Sequence, residues 1–285
     1  EVPVPELQDG QVLVKHHFLS LDPYMRGRMN DGRSYAQPQA LDQVMGGGTV
    51  GEVVSSRHAG FEAGDKVLGF GGWQQYSVVD AGLPGMLRKV DASQVPLSAY
   101  LGAVGMPGVT AWYGLTQIIA PKEGDTVVVS AASGAVGSAV GQLAKARGCR
   151  VIGIAGGAAG LLFGFVMQLG FDACIDHKLH RDLPSFGRAL KDAAPRGVDG
   201  LFENVGGIGL DAVMLQMNDF GRIAMCGMIA GYNGEPIPMA APQLILRSRL
   251  KVQGFIVGEH REFWPEALQE LARRVAGGQL KYRET

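Results

Sequence analysis

The spacing of hydrophobic positions changes about one third of the way along the chain, and the change predicts two kinds of structure. Before residue 93, short runs of β-branched and aromatic residues are separated by turns rich in glycine and aspartate. Such runs are typical of β-strands, and their close spacing predicts a small barrel or sandwich. The predicted strands cover residues 11–15, 49–54, 65–70 and 73–79.

After residue 93, apolar strands alternate with helical segments. A strand over 126–130 is followed by a helix over about 135–147 and by a second strand over 150–154. Continuous apolar strands with helices between them are typical of a parallel sheet covered on both faces, so the pattern predicts a doubly wound α/β domain. Further strands are expected at 172–176, 198–202, 222–226 and 251–256, and further helices at 161–169, 181–194, 208–217 and 265–276.

Composition and charge narrow the classes of protein. With 26 Lys and Arg against 27 Asp and Glu, the formal charge is −1, which leaves no basic surplus for a nucleic acid. The first residues lack the pattern of a secretory signal, and the longest apolar run, 161–167, is shorter than the roughly 20 residues of a membrane span. Three irregularly spaced cysteines give no disulfide framework. We therefore expect a soluble, cytoplasmic protein with a small-molecule partner, bound neither to nucleic acid nor to a membrane.

Glycine is unusually frequent, at 43 of 285 residues, and one glycine-containing string suggests chemistry. Residues 131–137, Ala-Ala-Ser-Gly-Ala-Val-Gly, lie between the first strand and the first helix of the α/β domain. In a dinucleotide-binding fold, small residues there let the backbone approach a pyrophosphate, and free N–H groups at the helix start face the anion. Gly137 would also let the helix lie close to the sheet. Because the first glycine of the usual G-x-G-x-x-G motif is an alanine here, a turn that binds nothing remains an alternative.

The end of the second strand bears on the choice between NAD and NADP. An NAD site usually has Asp or Glu there, whereas this chain has Ile154-Ala155-Gly156-Gly157-Ala158-Ala159-Gly160. No acid repels a 2′-phosphate, and no Lys or Arg attracts one. These residues favour NADP only because the acid that would select NAD is missing, and they supply no positive charge that would select NADP.

Five strings, taken in order, resemble one family over nearly the whole chain. They are Leu19-Ser20-Leu21-Asp22-Pro23-Tyr24-Met25-Arg26, Gly105-Met106-Pro107-Gly108-Val109-Thr110-Ala111, the glycine loop above, Phe202-Glu203-Asn204-Val205-Gly206-Gly207 and Cys226-Gly227-Met228-Ile229-Ala230-Gly231-Tyr232-Asn233. The chain resembles the zinc-independent medium-chain dehydrogenase/reductases. More narrowly, it is similar to the branch of prostaglandin reductases, leukotriene B4 12-hydroxydehydrogenases and alkenal double-bond reductases.

The resemblance implies a GroES-like, β-rich catalytic domain and a Rossmann domain, with NADPH in the cleft between them. The implied boundaries are 1–92 for the catalytic domain and 93–258 for the Rossmann domain, with 259–285 as a C-terminal helix and the start of a return to the catalytic domain. Enzymes of this branch reduce the carbon–carbon double bond of α,β-unsaturated ketones and aldehydes by hydride transfer to the β-carbon. Because relatives extend beyond both ends and supply a later cofactor-contacting Asn, we expect both termini to be truncated.

The resemblance also implies cofactor-binding residues. The pyrophosphate would be held by Ser133, Gly134, Ala135 and Val136, with Gly137 in the same loop. Asn204 would touch the cofactor at its strand end, and the segment from Cys226 to Tyr232 would border it. The nicotinamide end would meet main-chain groups of Phe255, Ile256 and Val257. His177 replaces the family's adenosine-side Tyr, and Gly160 stands where the family has a basic residue for the 2′-phosphate.

For catalysis, Tyr232 is the strongest polar candidate, because it follows a glycine-rich exit from a parallel strand. In similar enzymes the matching Tyr binds the substrate carbonyl or the cofactor, so Tyr232 is expected to stabilise an enolate oxygen; packing of a loop is the alternative. Tyr24 and Tyr76 are expected in the substrate pocket by the same resemblance.

No metal is expected. Gly46-Gly47-Gly48 stands where zinc-dependent relatives carry Gly-His-Glu, and all three cysteines lie in the predicted Rossmann half. A quinone reductase of the same superfamily and a cofactor-binding protein without catalysis remain alternatives to the enone reductase, and a homodimer is left open.

Overall fold

The computed structural model describes residues 3, 5–32, 34–156, 161–234 and 236–284. The chain divides into two compact units, Glu1–Met106 and Pro107–Thr285. Residues 93–106, which the sequence pattern assigned to the Rossmann domain, group with the first unit. None of the helices formed by the described residues has both the length and the apolar character needed to span a bilayer.

The first unit is built on one antiparallel sheet of five strands. The elements are β1 (Gln11–Leu19), α1 (Tyr24–Arg28), β2 (Thr49–Ser56), β3 (Lys66–Gly69), β4 (Tyr76–Asp80) and β5 (Leu87–Lys89), followed by a 3-10 helix (Leu97–Leu101). The strand order is β4-β1-β2-β3-β5, so among the described residues the strands form one sheet rather than the two of a sandwich. Alternate positions of the strands face one side and form a valine-rich core of Val12, Val14, Val53, Val67 and Val79.

Two features of the first unit differ from the prediction. The strand predicted over 73–79 begins only at Tyr76, because the backbone N–H groups of Trp73 and Gln74 bond to turn carbonyls of Met45 and Gly72 instead of a neighbouring strand. Helix α1 and the short strand β5 were not predicted. Both have five residues or fewer, too few to establish a hydrophobic period.

The second unit is built on a parallel sheet of six strands. The strands are β6 (Thr126–Ser130), β7 (Arg150–Ala155), β8 (Ala173–Asp176), β9 (Val198–Glu203), β10 (Met217–Met225) and β11 (Lys251–Gly254). Their order in the sheet is β11-β10-β9-β6-β7-β8, which confirms the predicted fold class, a β-rich domain plus a doubly wound parallel sheet. The helices are α2 (Met106–Tyr113), α3 (Ala135–Lys145), α4 (Leu161–Gln168), α5 (Leu183–Ala193), α6 (Ile208–Gln216), α7 (Gln243–Arg247) and α8 (Trp264–Ala276).

The direction of strand addition reverses beside β6. From β6 the chain adds β7 and then β8 on one side, and it returns to place β9 on the other side. Val128 in the middle of β6 is therefore paired with Ile152 of β7 and Leu201 of β9. Ligands of open α/β sheets bind at such a reversal, outside the carboxyl ends of the strands. The residues that follow β6 and β9 are therefore the first place to look for a site.

Several elements of the second unit were missed or misjudged. Helix α2 and the π-helical turn after it (Gly114–Ile119) were not predicted, because seven of the eight α2 residues are buried and the helix has no polar face to reveal its period. Helix α7 was missed as well. The strand predicted from residue 222 begins at Met217, and the strand predicted over 251–256 ends at Gly254.

Candidate cofactor and active site

The loop between β6 and α3 presents the start of a helix without a capping side chain. Gly134 is the N-cap of α3, in an extended conformation, and among the described residues the start of the helix has no capping side chain. The N–H of Gly134 donates to the carbonyl of Ala131 at 2.9 Å, which closes the turn before the helix. An uncapped helix start places backbone donors and the positive end of the helix dipole at one point. The loop therefore fits an anion such as a pyrophosphate.

Gly137 lets the first turn of α3 approach this loop. A Cβ atom at Gly137 would lie 2.3 Å from the carbonyl oxygen of Ala131 and 3.0 Å from the Cα of Ala132. Both are backbone atoms, so the contact cannot be relieved by a side-chain rotation. The third glycine of the motif is thus required by close packing of helix on loop.

Ala131 has an unusual backbone conformation. Its φ is 48°, in the left-handed region that glycine adopts without strain. Ala132, which stands at the first glycine position of the motif, is fully buried. The loop therefore keeps its shape without that glycine, and the strain falls on the residue before it.

Ala131→Gly is expected to stabilise the protein by up to about 1 kcal/mol. Left-handed backbone costs alanine about 1–2 kcal/mol, whereas glycine pays about 0.5–1 kcal/mol in chain entropy. Urea unfolding would measure the difference. Ala189→Gly, inside helix α5, is the control and is expected to destabilise by about 1 kcal/mol. Equal destabilisation by both changes would contradict the assignment of strain to Ala131.

The ends of β6 and β9 are joined by side chains. The Ser130 hydroxyl lies 2.9 Å from Oε1 of Glu203, and the backbone N–H of Asn204 donates to Ser130 Oγ at 2.7 Å. The Asn204 side-chain nitrogen donates to the carbonyl of Ser130 at 2.8 Å. Because a carbonyl can only accept, the amide of Asn204 is oriented with its nitrogen toward β6. Its oxygen is therefore the end that can be offered to a ligand.

Glu203 is a buried carboxyl group at this junction, with 1% of its surface exposed. Oε1 also accepts the backbone N–H groups of Val205 and Gly206, at 2.6 and 2.8 Å. Burial raises the pKa of the Glu203 carboxyl, and the hydrogen bonds it accepts offset part of that rise. Oε2, by contrast, is buried and has no hydrogen-bond partner among the described residues.

The exit of β10 lies beside the same turn. The N–H groups of Cys226 and Gly227 both donate to the carbonyl of Glu203, at 2.9 and 3.1 Å. Burial raises the pKa of the Cys226 thiol to about 12. The thiol is therefore neutral and poorly nucleophilic at physiological pH.

Tyr232 lies just past the 3-10 turn Ile229–Gly231 and is half-buried. A Cβ atom at Gly227 would lie 3.1 Å from the Tyr232 hydroxyl and 3.4 Å from the carbonyl oxygen of Asn204. The structure thus brings Asn204, Gly227 and the phenol of Tyr232 to one edge of the sheet. A phenol with access to a carbonyl oxygen can donate a hydrogen bond to it.

The segment predicted to meet the nicotinamide follows β11. Phe255 packs edge-on against Phe202, with ring centroids 6.2 Å apart. The carbonyl of Val257 accepts from the N–H of His260 at 3.2 Å and from the indole of Trp264 at 3.1 Å. Because a carbonyl oxygen has two lone pairs, Val257 has only its N–H left for a ligand.

His177 lies at the end of β8, against the end of β7. Its N–H donates to the carbonyl of Ala155 at 3.1 Å, and a Cβ at Gly156 would lie 2.3 Å from the imidazole Nε2. The ring therefore covers the residue where a nucleotide-binding acid usually stands. Gly160, at the family's position for a basic residue, lies outside the described residues.

Tyr24 and Tyr76 belong to the first unit. Tyr24 begins helix α1, and the Arg28 guanidinium lies 5.0 Å from the centre of its ring. Burial, and then the charge of Asp22, raises the pKa of the Tyr24 phenol. Tyr76 begins β4 opposite Lys15 and is 39% exposed. Their contact with a substrate stays a prediction.

Within the described ranges, no group of three or more His, Cys, Asp or Glu side chains is placed to hold a metal ion. The three cysteines, all described, are free.

The chain matches two family models along its length. Residues 1–87 match the N-terminal domain of oxidoreductase, and residues 135–273 match the model described as zinc-binding dehydrogenase. Three similar proteins are the NADPH-dependent curcumin reductase of Escherichia coli (44% identical, over 97% of this chain and 80% of the relative), prostaglandin reductase 1 of Rattus norvegicus (41%, 99% and 83%) and the NADP(+)-dependent 2-alkenal reductase of Nicotiana tabacum (40%, 99% and 80%). This chain belongs to the medium-chain dehydrogenase/reductase family. The predicted branch of prostaglandin and alkenal reductases is confirmed.

The chain is also similar in structure to a relative whose structure has been solved. CurA from Vibrio vulnificus, in a structure of its complex with NADPH, is 44% identical and superposes with a TM-score of 0.89 over 100% of this chain and 84% of its own. The family shares the two folds described above.

The sequence analysis did not predict a role in this site for two of its residues, Ser130 and Glu203. Ser130 was only the end of a predicted strand, and Glu203 was only one letter of a matching string. A signal was present, because Glu203 is a charged residue that directly follows the apolar pair Leu201-Phe202. A carboxyl at the end of a buried strand needs partners. Two of them are backbone N–H groups of the next turn, but its side-chain partner, Ser130, lies 73 positions away in the sequence.

Proposed function

We propose that this protein is an NADPH-dependent reductase of the carbon–carbon double bond in α,β-unsaturated ketones and aldehydes. The observation that carries the proposal is the arrangement at the reversal of the parallel sheet. There the uncapped start of α3, the oriented amide of Asn204 and the phenol of Tyr232 follow strands β6, β9 and β10. Two relatives at 40% identity or above that are named as NADPH- or NADP(+)-dependent reductases, and a third that is named as a prostaglandin reductase, support the same assignment.

The residues at this edge fit a dinucleotide. Backbone N–H groups in the loop Ser133–Gly137 would hold the pyrophosphate, and the amide oxygen of Asn204 would accept from a ribose hydroxyl. Cys226 would border the cofactor as a neutral thiol, and the segment Phe255, Ile256 and Val257 would meet the nicotinamide, with Val257 acting through its N–H. His177 would lie beside the adenosine. The absence of an acid at the end of β7 favours NADPH over NADH.

The chemistry supplied by bound NADPH is a hydride, delivered to the β-carbon of the conjugated double bond. The electron pair displaced from the double bond then lies on the carbonyl oxygen as an enolate. Tyr232 stabilises that oxygen by donating its phenolic hydrogen bond, and a proton from solvent completes the product at the α-carbon.

We propose that the reaction needs no zinc. Support comes from Gly46-Gly47-Gly48, which stands where zinc-dependent relatives carry a histidine, and from the cysteines, which all lie in the second unit. Free cysteines are also what a reducing compartment favours, so we propose a cytoplasmic location. Light scattering coupled to size-exclusion chromatography would test for a homodimer, the assembly that the sequence analysis leaves open.

The proposal is tested by following the loss of NADPH absorbance with 2-nonenal and with a 15-oxo-prostaglandin. We expect turnover with both enones and a lower kcat/KM when NADH replaces NADPH. Turnover of a quinone with no turnover of enones would favour the quinone reductase. NADPH binding, seen as a change in its fluorescence, without turnover of either class would favour a cofactor-binding protein.

A further inference from the structure

The junction between β6 and β9 depends on a single carboxyl oxygen. Oε1 of Glu203 receives the Ser130 hydroxyl and two backbone N–H groups, from Val205 and Gly206. The Ser130 hydroxyl oxygen in turn accepts the N–H of Asn204. Three successive residues after β9 are therefore fixed by one side-chain pair.

The turn that this pair fixes has an irregular shape. Gly206 and Gly207 both have positive φ, 84° and 68°, before helix α6 begins. A turn of this kind cannot bond its own N–H groups in a helical or strand pattern, so the carboxyl takes their place as acceptor. The same turn carries Asn204, whose side-chain amide bonds to the carbonyl of Ser130 at the end of β6.

We propose that Glu203 is a positioning residue of the cofactor site, which through Oε1 holds the turn from Asn204 to Gly206 and so sets the Asn204 amide for the nicotinamide ribose. The proposal rests on the proposed function, because it assumes that NADPH binds at this edge. Glu203 itself does not touch the cofactor. What it supplies is an acceptor in the right place, and the acceptor need not be charged.

Oε2 of Glu203, which has no hydrogen-bond partner in the described part of the chain, is consistent with a carboxyl that acts in its neutral form. Burying an ionised carboxylate with one oxygen left without a hydrogen bond is costly, whereas the protonated group carries no charge to desolvate. The titratable group on the neighbouring element that interacts with it is Cys226, after β10. Because burial raises the pKa of that thiol to about 12, it stays neutral between pH 5 and 8 and does not titrate with Glu203.

The test compares three variants by NADPH fluorescence titration. Glu203→Gln keeps an oxygen acceptor of the same reach without a charge, and its Kd is expected within about twofold of the wild type. Glu203→Leu removes the acceptor, and its Kd is expected to rise about tenfold or more, which is about 1.4 kcal/mol of binding free energy. Rescue by the glutamine would show that geometry, rather than charge, is what Glu203 supplies.

Asp199→Asn is the matched control, because Asp199 joins the same two strands at their opposite ends. It lies on β9, and its carboxylate accepts the N–H of Thr126 at the start of β6 and the side-chain amide of Asn218. Replacing one oxygen by NH₂ breaks one of these bonds. We expect a lower melting temperature with an NADPH Kd within about twofold of the wild type, which separates loss of stability from loss of position.

A second readout does not involve the cofactor. The folded state binds a proton at Glu203 more tightly than the unfolded state does, so stability is lost as pH rises from the ordinary Glu pKa to the raised one. Glu203→Gln cannot lose stability in this way. The melting temperature of Glu203→Gln relative to the wild type is therefore expected to increase between pH 5 and pH 8.

Each outcome has one meaning. An unchanged Kd in Glu203→Leu, or the same tenfold loss in Glu203→Gln, would overturn the positioning role, and a melting-temperature difference that does not change with pH would overturn the neutral carboxyl. If the wild-type chain itself bound no NADPH, the proposed function would fail, and the positioning role with it. Failure of the proposed function can be distinguished from failure of the positioning role alone, because it appears in the wild-type chain without any substitution.

Discussion

Gly137→Ala is expected to weaken NADPH binding by more than a hundredfold. The added methyl carbon would lie 2.3 Å from the carbonyl oxygen of Ala131, so the first turn of α3 and the loop must move apart. That movement displaces the N–H groups proposed to hold the pyrophosphate, and a hundredfold loss corresponds to about 2.7 kcal/mol. Fluorescence titration with NADPH measures the loss, and thermal unfolding shows whether the variant still folds.

Gly187→Ala is the control for this substitution. Gly187 lies in helix α5, and a Cβ atom there would meet nothing within 4 Å. Alanine is favoured over glycine inside a helix by about 1 kcal/mol, so the variant is expected to be more stable and to bind NADPH normally. Normal NADPH affinity in Gly137→Ala would contradict the assignment of the loop at 131–137 as the pyrophosphate site.

Tyr232→Phe is expected to lower kcat about a hundredfold and to leave the NADPH Kd within about twofold. Removing one preorganised donor to a developing oxyanion typically costs about 10²–10³ in rate. The phenol donates only as charge develops on the substrate oxygen, so the loss falls on turnover rather than on cofactor binding. Steady-state kinetics with 2-nonenal and a separate NADPH titration give the two numbers.

Tyr282→Phe removes the same hydroxyl from a tyrosine near the end of the described chain and is the matched control. It is expected to leave both kcat and the NADPH Kd unchanged. An equal fall of turnover and cofactor affinity in Tyr232→Phe would instead assign the phenol to packing of the loop or to the cofactor alone.

The sequence was informative wherever burial was uniform along a strand. Val127, Val128 and Val129 are all fully buried, as the continuous apolar run at 126–130 predicted for a strand covered on both faces. The loop after that strand was predictable too, because a parallel strand that leads through small residues into a helix is typical of a dinucleotide-binding fold. Its alanine at the first glycine position remained ambiguous until the backbone showed where the strain lies, at Ala131.

The features that the sequence could not predict depend on contacts between distant residues. Helix α2 was missed because a helix that is buried at seven of its eight residues, and that contains Pro107 and Gly108, has no amphipathic period. The role of Glu203 depends on Ser130, and only strand order brings these two side chains together. The contact of Trp264 with Val257 is a further case, because the Trp264 indole occupies the Val257 carbonyl and leaves the Val257 N–H for a ligand.

The central claim is that a hydride passes from NADPH to the β-carbon of a conjugated double bond. The most direct measurement uses 2-nonenal with NADPH deuterated at C4, on each face in turn, and analyses the product by mass spectrometry and NMR. We predict nonanal with one deuterium at the β-carbon from one of the two labelled cofactors. Deuterium at C1 of the allylic alcohol 2-nonen-1-ol, formed by hydride addition to the aldehyde carbon, would contradict the claim, as would NADPH oxidation with no label in any organic product.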